Sequence, residues 1–193
     1  MGNVGSIANM IRKVGGEPLI SEDPEAIAVA DKLILPGVGA FDRGMEALGE
    51  KGFADAIRQS ATRGVPLLGI CLGMQLMLES SEEGNLPGLG LVPGDVRKFP
   101  VGESLPRVPH MGWNRIALQK ACALFPESED AQRYYFVHSY YVCCSDRGDV
   151  AATTSHGHEF VSAFSRGNLY GVQFHPEKSH RFGMALFQRF LAI

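Results

Sequence analysis

Gly69-Ile70-Cys71-Leu72-Gly73-Met74-Gln75 is the stretch whose reading decides the fold. It closes an apolar, strand-like run (Pro66 to Ile70) and opens a helix-like one (Leu72 to Leu78). A cysteine at such a junction, with glycine two residues to either side, has the layout of a nucleophile elbow. Small neighbours permit the sharp turn, and the turn lifts the side chain out of the fold. Unpaired N–H groups at the start of the following helix favour thiolate over thiol. Upstream, Ile7, Met10, Ile11 and Val14 recur at helical spacing until Gly15-Gly16. Lys32 to Leu35 reads as a short buried strand ending in Pro36-Gly37-Val38-Gly39, and Phe53 and Ile57 belong to a helix closed by Gly64. This alternation predicts an α/β fold, a mostly parallel sheet flanked by helices.

Downstream the pattern changes. Gly84 to Pro109 is rich in Gly and Pro and predicts loops with short strands. Arg133 to Cys144 and Phe160 to Phe174 are aromatic and β-branched, with a turn at Arg166-Gly167-Asn168, and predict antiparallel additions to the sheet. Phe182, Leu186 and Phe190 give a last helix one apolar face. No repeat, low-complexity tract or linker interrupts the chain, so residues 1–193 are expected to form one domain.

Bulk properties narrow the function. A net charge of −3 gives no reason to expect nucleic acid or an anionic membrane as partner. No apolar run approaches the roughly 18 residues that span a bilayer, and no basic leader precedes an apolar segment. Cys71, Cys122, Cys143 and Cys144 include no Cys-x-x-Cys pair, which argues against a zinc ribbon and for a reducing cytoplasm. Cys143-Cys144 reads as small buried hydrophobes in an aromatic strand rather than as a redox pair. His156 and His158 read as a solvated loop, and with His175, Glu177 and His180 they complete no metal site. Met74 and Met77 read as core filling. Trp113 suits either a contact surface or the core.

His175 and Glu177 straddle Pro176, which biases His175 toward an extended conformation. In an extended segment residues two apart project to the same side. Glu177 can then accept a hydrogen bond from one imidazole nitrogen and leave the other facing a thiol, which fixes the tautomer and stabilises the imidazolium. Pro36-Gly37-Val38-Gly39 ends a strand with backbone free to aim N–H groups at a developing oxyanion. The N–H of Leu72, directly after Cys71, supplies a second donor.

Taken together, Gly-Ile-Cys-Leu-Gly-Met-Gln and the distant His-Pro-Glu resemble the triad (class I) glutamine amidotransferases. Further segments are similar to one branch of that family, the glutaminase subunits of imidazole glycerol phosphate synthases. These are Leu35 to Phe41, Glu79 to Glu82, His110-Met111-Gly112-Trp113-Asn114, Tyr135 to Tyr140 and Gln173 to Ser179. The resemblance covers essentially the whole chain and implies a flavodoxin-like sheet. It implies Cys71 as nucleophile toward the amide of glutamine, His175 as proton carrier and Glu177 as its orienting partner. Gly37, Val38 and Leu72 would form the oxyanion hole, with Gly39, Gln75, Glu79, His138, Ser139 and Tyr140 around glutamine. Ammonia would pass to a barrel-shaped cyclase subunit in a heterodimer, with Asn3, Trp113 and Lys178 at the interface, for synthesis of imidazole glycerol phosphate and aminoimidazole carboxamide ribotide in histidine biosynthesis. No metal or organic cofactor is implied.

In the family a first strand ending in Tyr-Gly precedes the Met-Gly-Asn with which this sequence opens. A start assigned at an internal methionine, with about a dozen residues upstream, is therefore expected. Rival readings are a glutaminase subunit serving another synthase, such as that for anthranilate or pyridoxal phosphate, and a free-standing γ-glutamyl cysteine hydrolase. A non-catalytic binding module is a third, against which the complete Cys71, His175, Glu177 set argues.

Overall fold

Leu67 and Leu68 point to opposite sides of one strand, and each finds its own apolar layer, so the sheet carries helices on both faces. The computed structural model describes residues 4–126 and 132–193. In chain order the elements are α1 (Val4–Lys13), α2 (Pro24–Ala28), β1 (Leu33–Gly37), α3 (Phe41–Glu50), α4 (Phe53–Thr62), β2 (Leu67–Cys71) and α5 (Leu72–Leu76). Then come β3 (Ser80–Ser81), β4 (Gly94–Lys98), β5 (His110–Arg115), β6 (Ala117–Leu118), β7 (Arg133–His138) and β8 (Tyr140–Cys144). The chain finishes with β9 (Val150–His156), β10 (His158–Arg166), β11 (Leu169–Val172) and α6 (His180–Ala192).

The main sheet runs β1-β2-β11-β10-β8-β4-β3, with β9 on β10 and β6 on β9; β5 and β7 form a separate antiparallel pair. Among the described residues, parallel pairing is confined to β1–β2, β2–β11 and β3–β4, and the other ladders are antiparallel. β2 lies between β1 and β11 and is buried along its whole length, as its unbroken apolar run requires. Leu68 and Ile70 face a layer with Ile7 and Ile11 of α1 and Leu186, Phe187 and Phe190 of α6. Leu67 faces Phe41 and Met45 of α3, Ile57 of α4 and Leu72 and Met74 of α5. Asn168, in the β10–β11 turn, donates to the carbonyls of Ala61 and Val65 and so ties that hairpin to the end of α4.

Several elements depart from the sequence expectation. The strand expected at Lys32 to Leu35 runs on to Gly37, and only Leu35 in it is buried. The helix after Cys71 ends at Leu76 rather than Leu78, because Met77 to Leu89 turns back to hydrogen-bond it. α2 and α3 were not anticipated: α2 is five residues capped by Asp23, and α3 carries two glycines in a polar run. Asn3 lies outside the described residues.

Candidate active site

Neighbouring parallel strands release their chains at the same end of a sheet, which is where α/β folds place ligands. β1, β2 and β11 do this in register. Gly37 pairs with Cys71, and Val172 pairs with Ile70, so the residue that follows β11, Gln173, comes alongside Cys71. Cys71 itself is bent: φ is 56° and ψ −112°, a left-handed conformation that a side chain adopts only under constraint. Glycines make that bend possible by letting α5 come close. A Cβ on Gly69 would sit 2.7 Å from Met74 Cα, and one on Gly73 would sit 1.8 Å from the Leu35 carbonyl oxygen. The elbow read from the sequence is therefore present, with a helix of only five residues behind it.

His175 is the third residue after β11. Its ring Nδ1 lies 2.8 Å from Glu177 Oε1, with the two side chains 4% and 1% exposed. The pairing was expected from an extended segment, but the chain reaches it differently. Only His175 is extended; Pro176–Lys178 is a turn of 3₁₀ helix that folds the carboxylate back onto the ring. Ser179, fully buried, locks this turn. Its hydroxyl donates to the His175 carbonyl at 2.6 Å and accepts from Tyr135 N, while His175 N donates to the Tyr135 carbonyl at 2.8 Å. Burial by itself would lower the His175 pKa, but the neighbouring Cys71 sulfur and Glu177 carboxylate outweigh it and raise the value to about 9. His175 Nε2 makes no well-aligned hydrogen bond at rest, so the sulfur acts on it through proximity. The ring is thus held ready as an imidazolium beside a cysteine that is 7% exposed.

The residues expected around glutamine divide. Gly37, Val38 and Gly39 turn immediately beside Cys71, and Gly39 has φ +105°. Gln75, buried, donates its amide to the Tyr140 carbonyl at 3.1 Å and to Gln173 Oε1 at 3.0 Å. His138 and Tyr140 belong to the same network, with Ser139 between them. Glu79 points elsewhere: it is exposed, and its carboxylate accepts from Gly94 N at 2.9 Å beside β4. Two surface hollows, about 320 and 500 Å³, are lined by Glu79, Cys143 and Cys144 and by Lys120, Tyr141 and Cys144, and neither includes a triad residue. Cys144 is buried enough to push its thiol up to about 12, in line with a packing role.

His156 and His158 are not in a solvated loop. They end β9 and begin β10, with Gly157 turning between them at φ 78°, and both rings pack on Phe99. His110 lies against His156 with ring centroids 4.3 Å apart. No group of three potential metal ligands occurs among the described residues.

His110 and His138 have their protons fixed by geometry. Asn114 donates to the Ser155 carbonyl at 3.0 Å, so its amide nitrogen also faces His110 Nε2 at 3.1 Å. His138 Nδ1, 2.8 Å from the Tyr140 carbonyl, must be the donor there, which leaves its Nε2 to accept from His110 Nδ1 at 2.9 Å. No position remains for an extra proton, and both rings are buried. Burial lowers His138 to about 3 and His110 to about 4. Both values are depressed, so the stability they contribute is complete above the unfolded value of about 6.5 and is lost as pH falls toward 4. At about pH 5 the unfolded chain gains about 2 kcal/mol per ring, roughly 4 kcal/mol for the pair. Urea midpoints are expected to drop between pH 6.5 and 5, and His138→Leu is expected to flatten that drop. An equally steep slope in the variant rejects the assignment.

Outward from this network, β5 alternates. His110 faces in, while Met111 and Trp113 are 62% and 41% exposed. Trp113 stacks on His180 at an interplanar angle of 3°, and Lys178 Nζ lies 5.7 Å from the Tyr135 ring, so the two expected interface residues share one face with Tyr135. The pair His175–Glu177, the elbow and the Gly37–Gly39 turn were legible in the sequence. The sequence reading did not single out Gln173, whose amide faces the Cys71 sulfur, or Ser179, which holds the His175 turn, although both stand inside the Gln173 to Ser179 segment.

The profile of the family described as glutamine amidotransferase class-I matches residues 5–193. The chain is 50% identical over 192 residues to "Imidazole glycerol phosphate synthase subunit HisH 2" of Methanococcus maripaludis, covering 99% of this chain and 95% of the relative. It is 47% identical over 191 residues to "Imidazole glycerol phosphate synthase subunit HisH" of Moorella thermoacetica, covering 98% and 90%. Its fold is similar to the structure of PurLQS from Thermotoga maritima, with a TM-score of 0.69 at 19% identity over 97% of this chain and 91% of that one.

Proposed function

The chain belongs to the class-I glutamine amidotransferases, and we propose that it is the glutaminase subunit of imidazole glycerol phosphate synthase with Cys71 as its nucleophile. Whole-length identity of 47% and 50% to two subunits of that name supports the pathway, histidine biosynthesis, and a cyclase subunit as partner. The observation that carries the chemistry is the strained Cys71 beside a buried His175–Glu177 pair held at 2.8 Å. Sγ, as thiolate, attacks the side-chain amide carbon of glutamine. The C=O becomes an oxyanion, for which the Gly37–Val38 turn and Leu72 N–H are the donors at hand. His175 gives its proton to the departing nitrogen, ammonia leaves, and a glutamyl thioester remains. Water then attacks the thioester, His175 takes its proton, and glutamate is released. Glu177 keeps the ring oriented and favours its protonated form throughout.

Ammonia that escapes to water at neutral pH is protonated and lost as a nucleophile, so its use requires a partner pressed against the site. The face of exposed Trp113 and Lys178 around half-buried Tyr135, whose carbonyl accepts from His175 N, supports a barrel-shaped cyclase docking there. Glutamate release is the test, measured with and without the cyclase subunit and its nucleotide ligand. Strong stimulation by the liganded cyclase is expected. Release indifferent to the cyclase would reassign the chain to another synthase or to a free-standing hydrolase.

A further inference from the structure

The triad accounts for one neighbour of the Cys71 sulfur, His175. Two more surround it: the Val137 carbonyl oxygen, which accepts from the Cys71 thiol at 4.0 Å, and one donor whose role is unassigned. The side-chain amide nitrogen of Gln173, fully buried, lies 3.7 Å from Sγ in hydrogen-bond geometry. Which end of that amide faces the sulfur is settled by a backbone carbonyl several groups away. The Tyr140 oxygen only accepts, so the Gln75 atom 3.1 Å from it is the amide nitrogen. That nitrogen has two hydrogens, and the second goes to Gln173 at 3.0 Å, which must therefore present its oxygen. The NH₂ of Gln173 is left facing Cys71. The His138 ring, donating to the same Tyr140 oxygen, agrees with this orientation.

We propose that Gln173 is a further catalytic residue, a neutral donor that stabilises the Cys71 thiolate, and that Gln75 is the positioning residue that aims it. The inference rests on Cys71 being the nucleophile. A neutral donor has a use that His175 cannot fill. His175 has to hand its proton to the departing nitrogen and take another from water, whereas the Gln173 amide keeps its hydrogens and stays aimed at the sulfur through every step. The register of β2 and β11 places Gln173 there by construction, because it is the residue after the Ile70–Val172 pair. The backbone of Gln173 is pinned in turn, its N–H donating to the Ser162 carbonyl at 2.9 Å. The role also limits what Gln75 can offer glutamine. Both of its amide hydrogens are in use, and only its oxygen is left for substrate.

The test is the rate of Cys71 alkylation by iodoacetamide against pH in the full chain, alone and with the cyclase subunit, and it needs no glutamine turnover. The titratable group beside the sulfur is His175; Glu177 faces that ring, as does His138 on β7, which is itself faced by His110 on β5 and His156 on β9. All are retained in Gln173→Met, which keeps the volume and removes the donor. A hydrogen bond to a charged group corresponds to about one pH unit here, so the alkylation midpoint is expected to rise by about one unit, roughly tenfold slower reaction at a fixed pH below it. Gln75→Met leaves Gln173 in place but free to turn, and is expected to move the midpoint the same way by less. Were Gln75 only a substrate contact, its loss would raise KM for glutamine and leave the midpoint where it was. An unchanged midpoint in folded Gln173→Met overturns the proposal. If that variant does not fold, wild-type protein gives the answer: the side-chain ¹⁵N–¹H resonance of Gln173 is expected to move with the alkylation midpoint. A resonance that stays still across it overturns the proposal equally. Loss of glutaminase activity with an intact midpoint in wild type would count against the proposed function and not against this role.

Discussion

Replacing Cys71 with alanine is expected to lower glutamine hydrolysis by about 10⁴-fold or more, with the fold intact. The attacking sulfur is gone, and nothing else near His175 replaces it. Cys122, Cys143 and Cys144 stand on other parts of the chain, and burial pushes Cys144 away from thiolate. His175→Ala is expected to cost a similar factor, and the double variant hardly more, because the two residues act on one proton. Stability separates function from fold here. Cys71 has φ 56°, so alanine keeps the strain while glycine relieves it. Cys71→Gly is expected to be more stable than Cys71→Ala by about 1–3 kcal/mol, both being inactive. Equal urea midpoints for the two would mean that the bend stores no strain. Substantial activity in Cys71→Ala would end the nucleophile assignment.

Gly73→Ala is the substitution expected to damage the fold most for its size. Its added methyl would lie 1.8 Å from the Leu35 carbonyl oxygen, a backbone atom that cannot swing aside. Either α5 lifts off β1, opening the layer in which Leu35, Leu72 and Met74 pack, or β1 leaves β2. Both routes disrupt buried packing, at a cost of about 4 kcal/mol or more. The variant is expected to be insoluble or to unfold at low urea, and any folded fraction is expected to react slowly at Cys71. Gly5→Ala is the contrast. That glycine is in α1 with nothing within 4 Å of an added methyl, so alanine is expected to be neutral or to stabilise by up to about 1 kcal/mol. A Gly73→Ala protein within about 1 kcal/mol of wild type would show that the elbow tolerates a gap between helix and sheet.

The sequence alone determined the elements whose cause is local. Leu67 to Ile70 is an apolar run bounded by Pro66 and Cys71, and no other element type suits it. Gly69 and Gly73 mark the sharp turn at Cys71, and the aromatic, β-branched run from Arg133 marks a strand; the proline between His175 and Glu177 signalled their pairing, but as an extended segment rather than the 3₁₀ turn that forms. α2 and α3 escaped because short or glycine-bearing helices draw their stability from packing rather than from propensity. His156 and His158 were misread because a hairpin edge and a loop look alike until Phe99, more than 50 residues away in sequence, is brought against them.

Only the tertiary structure decided what touches the sulfur. That Gln173 stands beside Cys71 follows from strand order and register, properties of non-local hydrogen bonding that no window of sequence contains. Which atom of Gln173 faces the sulfur depends on the Tyr140 carbonyl, contributed by a third strand. The neutrality of His110 and His138 likewise depends on Ser155 and Tyr140 oxygens at the two ends of one hydrogen-bond chain. Residue type sets what a side chain is able to donate or accept. Its partner, its proton and its charge are set by the neighbours that folding supplies.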